Sequence, residues 1–207
     1  MKSSPRIFVY KMTTDNGGAP CVRNGILSLA ICKPKIRAAA GEEDWIIGAA
    51  GKQLGGGIIY VAQVSRAIGI EYYGSREFAT RPDCIYRRRA GGDLARKASA
   101  QYHEDPANLY HDVGSPPNYS RAKILWCENF RYFGDKPETI PESFREFIAS
   151  IGRGHRVNLS TAVHTSLLVF LRGVQAKYRK KIVGDPTQTP DRSSRCNTDD
   201  GSAAVCG

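Results

Sequence analysis

Long apolar runs are missing from this 207-residue chain. No stretch approaches the roughly 18 to 20 residues that a membrane-spanning helix needs, and Met1 to Pro5 is too short and polar for a secretory signal. A soluble, cytoplasmic protein is expected. Six cysteines are present, at 21, 32, 84, 127, 196 and 206, yet there is no CxxC pair and no Cys/His spacing of a zinc site. Most should be reduced thiols, and no metal or cofactor is expected. The glycines at 55, 56 and 57 lack the GK[ST] ending of a phosphate-binding Walker loop, which sets nucleotide triphosphate hydrolysis aside. A GxGxxG after a strand, a nucleophile elbow and the HxE of the zinc deaminases are absent as well.

What is present is positive charge. The net charge is +10 and the pI near 9.4, with the basic excess spread along the chain. A polyanionic partner follows, nucleic acid before an anionic surface. With 41% hydrophobic residues the chain can bury one core. One domain is expected over residues 1–183, followed by a disordered tail over 184–207, where Pro, Thr, Asp, Ser and Asn replace large apolar residues.

The organising stretch runs from Phe8 to Val64. Arg6 to Met12 and Gly25 to Cys32 read as buried strands, and Trp45 onward pairs through the Gly-rich turn with Ile58 to Val64 as a long-looped hairpin. Pro34 signals a short helix to Ala40. Glu142 to Ile151 places apolar residues at helical spacing, and Asn158 to Ile182 reads as a last helix capped by Ser160. Between them, Ala90 to Ser120 reads as mostly loop, with a turn of helix over Gly92 to Ala100.

Several groups carry candidate chemistry. Asn16, Gly17 and Gly18 supply a tight turn whose backbone N–H groups can cradle an anion or a base edge. Lys33, Lys35 and Arg37 cluster at the predicted helix entry, where such an unpaired cluster suggests that an anion is expected, and Lys52 is the sole charge of the Gly51 to Gly57 turn; Lys35, Arg37 and Lys52 are expected to contact phosphate or base. Tyr72, Tyr73 and Tyr86 interleave with Arg76, Arg81 and the run Arg87, Arg88 and Arg89: rings to stack on bases, arginines to hold phosphates. Arg153, His155 and Arg156 form a compact cationic hook. His111 beside Asp112 is an imidazole next to a carboxylate in sequence.

Two resemblances extend this reading. Asp44, Trp45 to Gly48 and the strand IIYVAQV resemble the central hairpin of the PUA, ASCH and EVE barrels, which implies an α+β fold: a small antiparallel PUA-like barrel with flanking helices. More of the chain, from Arg6 to about Val157, resembles the bacterial family called nucleotide modification associated domain 2, in the runs FVYKMTTDNGGAPC, AICKP, DWIIG, RPDCIY, FRYFG (with Arg131) and RGHRV. That resemblance implies a role with base-modification systems. The expected function is binding of nucleic acid or a modified nucleotide. The alternative is an enzyme acting on a nucleotide base, with Asp15, Asp83, His111 or His155 as acid or base.

Overall fold

The computed structural model describes residues 4–192. In chain order the elements are β1 (Ile7–Met12), β2 (Cys21–Arg23), β3 (Ile26–Leu29), α1 (Pro34–Ala39), β4 (Trp45–Ala50), β5 (Ile58–Gln63) and β6 (Arg66–Ile68). There follow β7 (Tyr86–Arg88), β8 (Leu94–Arg96), α2 (Ala107–Val113), β9 (Ile124–Cys127), β10 (Asn129–Tyr132), α3 (Glu142–Ser150), β11 (His155–Arg156) and α4 (Thr161–Lys177).

The apolar runs become a five-stranded sheet in the order β10-β5-β4-β1-β11, buried on both faces. Strand alternation decides which side chain goes where. Ile7 and Val9 of β1 face Leu167, Leu171 and Val174 of α4, while Phe8, Tyr10 and Met12 face the opposite core. That inner core is shared with a four-stranded sheet, β2-β3-β9-β6. β5 and β6 are one chain path bent across Val64 and Ser65, and β10 and β9 bend beside it at Glu128. The corner is held by the Glu128 N–H donating to Ser65 Oγ at 2.9 Å.

The α+β class stands, but the barrel does not. Among the described residues β2 and β11 remain open edges, no closed barrel forms, and β1 pairs with β4 in parallel. The expected turn of helix at Gly92 to Ala100 is instead β8, paired with β7, and the loop beyond it contains α2. The last helix begins as expected, with Ser160 Oγ accepting from the Val163 N–H. It ends at Lys177 because the following residues turn to extended pairing: Tyr132 N–H donates to Lys181 O, and Val183 N–H to Tyr132 O.

The tail expectation also changes. Residues 184–192 form a strap along the loop after β1: Gln188 N–H donates to Asp15 O at 2.9 Å, and Asp135 N–H to Asp185 O at 2.9 Å. Backbone pairing substitutes for the apolar burial this segment lacks. Residues 193–207, with Cys196 and Cys206, lie outside the described residues. The strap depends on close approach at Gly184, where an added Cβ would sit 2.1 Å from Phe133 O. Gly184→Ala is therefore expected to release the strap and make it cleavable by limited proteolysis, at a cost of about 1–3 kcal/mol; unchanged cleavage would contradict the packing.

Candidate active site

β3 runs into a loop in which Ala30 and Ile31 are buried, and Cys32 and Lys33 follow at φ 55° and 47°. Two successive non-glycine residues in the left-handed region are costly, on the order of 1–3 kcal/mol each, and persist only where surroundings over-determine them. Arg37 on α1, fully buried, supplies much of that constraint. Its Nε donates to Cys32 O at 2.7 Å, one terminal nitrogen donates to Arg121 O and Lys123 O, both at 2.9 Å, and the other to Asp112 O at 2.5 Å. The Cys32 N–H in turn donates to Asp112 Oδ1 at 2.8 Å. Lys33 is placed with its ammonium 5.1 Å from the centre of the Tyr10 ring.

This constraint brings three side chains into line. Cys32 Sγ lies 3.3 Å from His103 Nε2, and His103 Nδ1 lies 2.6 Å from Asp112 Oδ2. The Tyr86 hydroxyl donates to the same carboxylate oxygen at 2.7 Å. Burial works against a charged His103, but its hydrogen bonds to Asp112 and Cys32 outweigh that and raise it to about 10. Burial likewise pushes the Asp112 carboxyl up, and the bond to His103, aided by Arg37 and Tyr86, holds it below the usual carboxylate range. The two directions agree on a buried imidazolium–carboxylate pair. A thiol, an imidazole and an orienting carboxylate in this sequence of contacts is the arrangement that a nucleophile, its base and the base's holder require.

The triad opens to a cleft at its sulfur end. Cys32 and His103 line a cleft of about 60 Å³ together with Thr13, Thr14, Asn16 and Gly18. A larger cavity of about 460 Å³ lies next to it, sharing Asn16 and Tyr102 and walled by Pro20, Tyr132 and the strap residues Pro186 and Pro190. Cys21, Cys84 and Cys127 are buried, and burial pushes each of these thiols up. Cys32, half-buried, is thus the described cysteine equipped to react.

The pair makes stability depend on pH. A histidine raised from 6.5 to about 10 adds stability that is complete below about pH 6.5 and disappears as pH climbs through 10. Asp112, lowered from 3.8, adds stability present above that value and lost as pH falls below it. The denaturant midpoint is expected to be highest between about pH 4 and 6.5 and to fall toward pH 10, with His103→Ala flattening the alkaline limb; a limb unchanged in that variant would remove the pair as its cause.

The candidate residues read from the sequence take varied places. Asn16, Gly18 and Lys33 line the cleft, and Gly17 lines the larger cavity. Tyr72, Tyr73 and Tyr86 do not form a stacking surface: all three are core residues whose hydroxyls reach Asp83, Ala30 O and Asp112. Arg37 is interior and cannot meet a phosphate. Arg81 is buried too, paired with Asp83 at 3.3 Å and donating to Ser28 Oγ. Asp83 is fully buried in that network, accepting from Ser28 and Tyr72, and has no path to a substrate. Asp15 accepts from Tyr132 Oη at 2.7 Å and anchors the strap; burial raises its carboxyl. Arg131 donates to Tyr178 O and Phe130 O, tying β10 to the end of α4.

His111 lines a separate cavity with Gly114 and Arg121, and Asp112 pairs with His103, not with this sequence neighbour. His155 packs against Phe8 with ring centres 5.7 Å apart on the edge strand β11, where Arg156 is exposed, as is Arg153 before it. Lys35 is half-buried on α1 and Lys52 exposed; neither lines the cleft. The sequence alone does not mark Cys32 and His103 as catalytic. The signal present was a cysteine between a buried strand and a Pro-initiated helix, with histidine and aspartate further along.

Among the described residues no group of three His, Cys, Asp or Glu side chains is arranged to hold a metal ion, and no helix is long and apolar enough to cross a membrane. The family model of nucleotide modification associated domain 2 matches residues 4–192, all but the two ends of the chain. The chain belongs to that family. The triad residues and both cavities fall inside the matched span. Among curated proteins and among solved structures, nothing matches.

Proposed function

We propose that the protein is a thiol-dependent enzyme of nucleotide modification systems, acting on a nucleotide or on nucleic acid. Cys32 is the nucleophile, His103 the proton carrier and Asp112 the group that fixes and charges the imidazole. The unbroken chain from Cys32 Sγ through His103 to Asp112, open at the sulfur to a cleft, carries this reading. Membership of a nucleotide-modification-associated family supports a substrate of that class. The 460 Å³ cavity beside the cleft has room for a nucleoside-sized group, with the Tyr102 and Tyr132 side chains and prolines on its walls and the exposed Arg23 among its lining residues.

Chemically, the imidazolium holds the sulfur as thiolate, the thiolate attacks an electrophilic carbon of the substrate, and His103 hands its proton to the departing group. The test is incubation with plain and base-modified nucleotides and oligonucleotides, followed by mass analysis of the products. Conversion by the native protein that is lost in Cys32→Ala, with binding retained, is the expected result. A Cys32→Ala protein that converts at the native rate would remove the thiol from the reaction.

A binding-module reading keeps one supporting observation: Arg87, Arg88 and Arg89 are all exposed on and just after β7. In the enzyme reading the same arginines hold the polyanion. Replacing the three with serine is expected to weaken oligonucleotide binding and to flatten its salt dependence by about 0.7–0.9 in log–log slope for each phosphate that is no longer neutralised. An unchanged slope would move the nucleic-acid interface elsewhere.

A further inference from the structure

A thiolate that attacks a carbonyl needs a donor for the oxygen on which charge develops, and removing such a donor costs about 10²–10³ in rate. The nucleophile's own N–H cannot serve here, because it already donates to Asp112 Oδ1. Tyr102 and His103 also line the cleft, but their donors are engaged with the Asn16 carbonyl and Asp112; Asn16 is a fixed side chain there with a donor to spare. It is only 8% exposed; its Oδ1 accepts from Gly18 N–H at 3.2 Å, and its carbonyl accepts from Tyr102 Oη at 3.1 Å. The Tyr102 ring packs so closely on Gly18 that an added Cβ would meet it at 3.0 Å, which holds this turn in place. With Oδ1 occupied, Nδ2 is the part of the amide left to act, and no described residue accepts from it.

We infer that Asn16 is the oxyanion-stabilising residue, and that the substrate is therefore an acyl compound: an amide or ester borne on the nucleotide. This rests on the thiol reading above. Cys32 sulfur bonds to the carbonyl carbon while the C=O π pair moves to oxygen, where Asn16 Nδ2–H donates to it. The pair returns, the C–N or C–O bond breaks, and His103 gives its proton to the leaving nitrogen or oxygen. Water then attacks the thioester, losing a proton to His103, and the C–S bond breaks to release carboxylic acid and restore the thiolate–imidazolium pair.

The test compares two reactions of the same thiol. Acylation of Cys32 by p-nitrophenyl acetate passes through an oxyanion; alkylation by iodoacetamide displaces iodide and does not. The ratio of the two rates is expected to fall about 100-fold in Asn16→Ala. It should fall similarly in Asn16→Asp, which keeps the acceptor for Gly18 N–H but lacks the amide donor. An unchanged ratio in both variants would overturn the role of Asn16 while leaving the nucleophile standing. A native Cys32 that reacts with neither reagent faster than free cysteine would overturn the nucleophile, and this role with it.

Discussion

Replacing Asp112 with alanine is expected to lower stability by about 3–5 kcal/mol and to silence Cys32. The carboxylate is wholly buried, and its partners include Cys32 N–H, the Tyr86 hydroxyl and His103. Removing it leaves an imidazolium, itself 2% exposed, without its carboxylate partner. Burial, which already opposes the charge on His103, would then prevail and bring its pKa down. The thiol loses its proton acceptor, and alkylation at neutral pH should drop by about 10- to 100-fold, the difference between a held thiolate and the few per cent present in an ordinary thiol. Asp112→Asn separates the two effects. It keeps the shape and much of the hydrogen bonding but lacks the charge, so folding should be largely preserved while reactivity falls. Denaturant titration and alkylation rates on the two variants measure this. Equal alkylation by Asp112→Asn and the native protein would show that the carboxylate only packs.

Arg37→Leu should have an effect of similar size by a different route. The guanidinium joins four carbonyls from three chain segments: Cys32 O beside α1, Asp112 O on α2, and Arg121 O and Lys123 O before β9. Leucine fills part of the volume and leaves buried acceptors unpaired, each at about 1–3 kcal/mol before water or relaxation compensates. A net loss of about 3–5 kcal/mol is expected. The left-handed conformation at Cys32 and Lys33 should relax at the same time. Lysine should not rescue, because one ammonium cannot reproduce a planar fork reaching acceptors on several sides. A midpoint of unfolding in Arg37→Leu within error of the native value would show that the four bonds contribute nothing net.

The strands were legible because β1, β4 and β5 are buried on both faces and so read as dense β-branched and aromatic runs. Closure was not. Whether strands end as a barrel depends on which edges meet, and the parallel register of β1 with β4 has no local signature. The tyrosine and arginine interleaving from residue 72 to 89 misled in an instructive way. Composition cannot tell a ring turned outward to a base from one turned inward, and here each hydroxyl found a buried acceptor: Asp83, Ala30 O or Asp112. Charge alone points Arg37 and Arg81 to phosphate, yet both spend their donors inside. Arg76 and the 87–89 run are the arginines of that stretch that lie outside. The triad was hidden by spacing: Cys32 and His103 are 71 residues apart, and Asp112, adjacent to His111 in sequence, serves the histidine nine positions earlier. A loop with few apolar residues looked like a connection, when its work is to carry His103 and Asp112 to the end of β3.

The central claim is that His103 keeps Cys32 ready to react, and the pH dependence of Cys32 alkylation by iodoacetamide, followed by peptide mass mapping, tests it most directly. The account predicts that Cys32 reacts at pH 6 within a few-fold of its rate at pH 8, that Cys21, Cys84 and Cys127 stay silent in the folded protein, and that His103→Ala abolishes the acid-side reactivity. A Cys32 rate that falls about tenfold for each unit of pH below about 8.5, as for an unassisted thiol, and that is the same in His103→Ala, would contradict it.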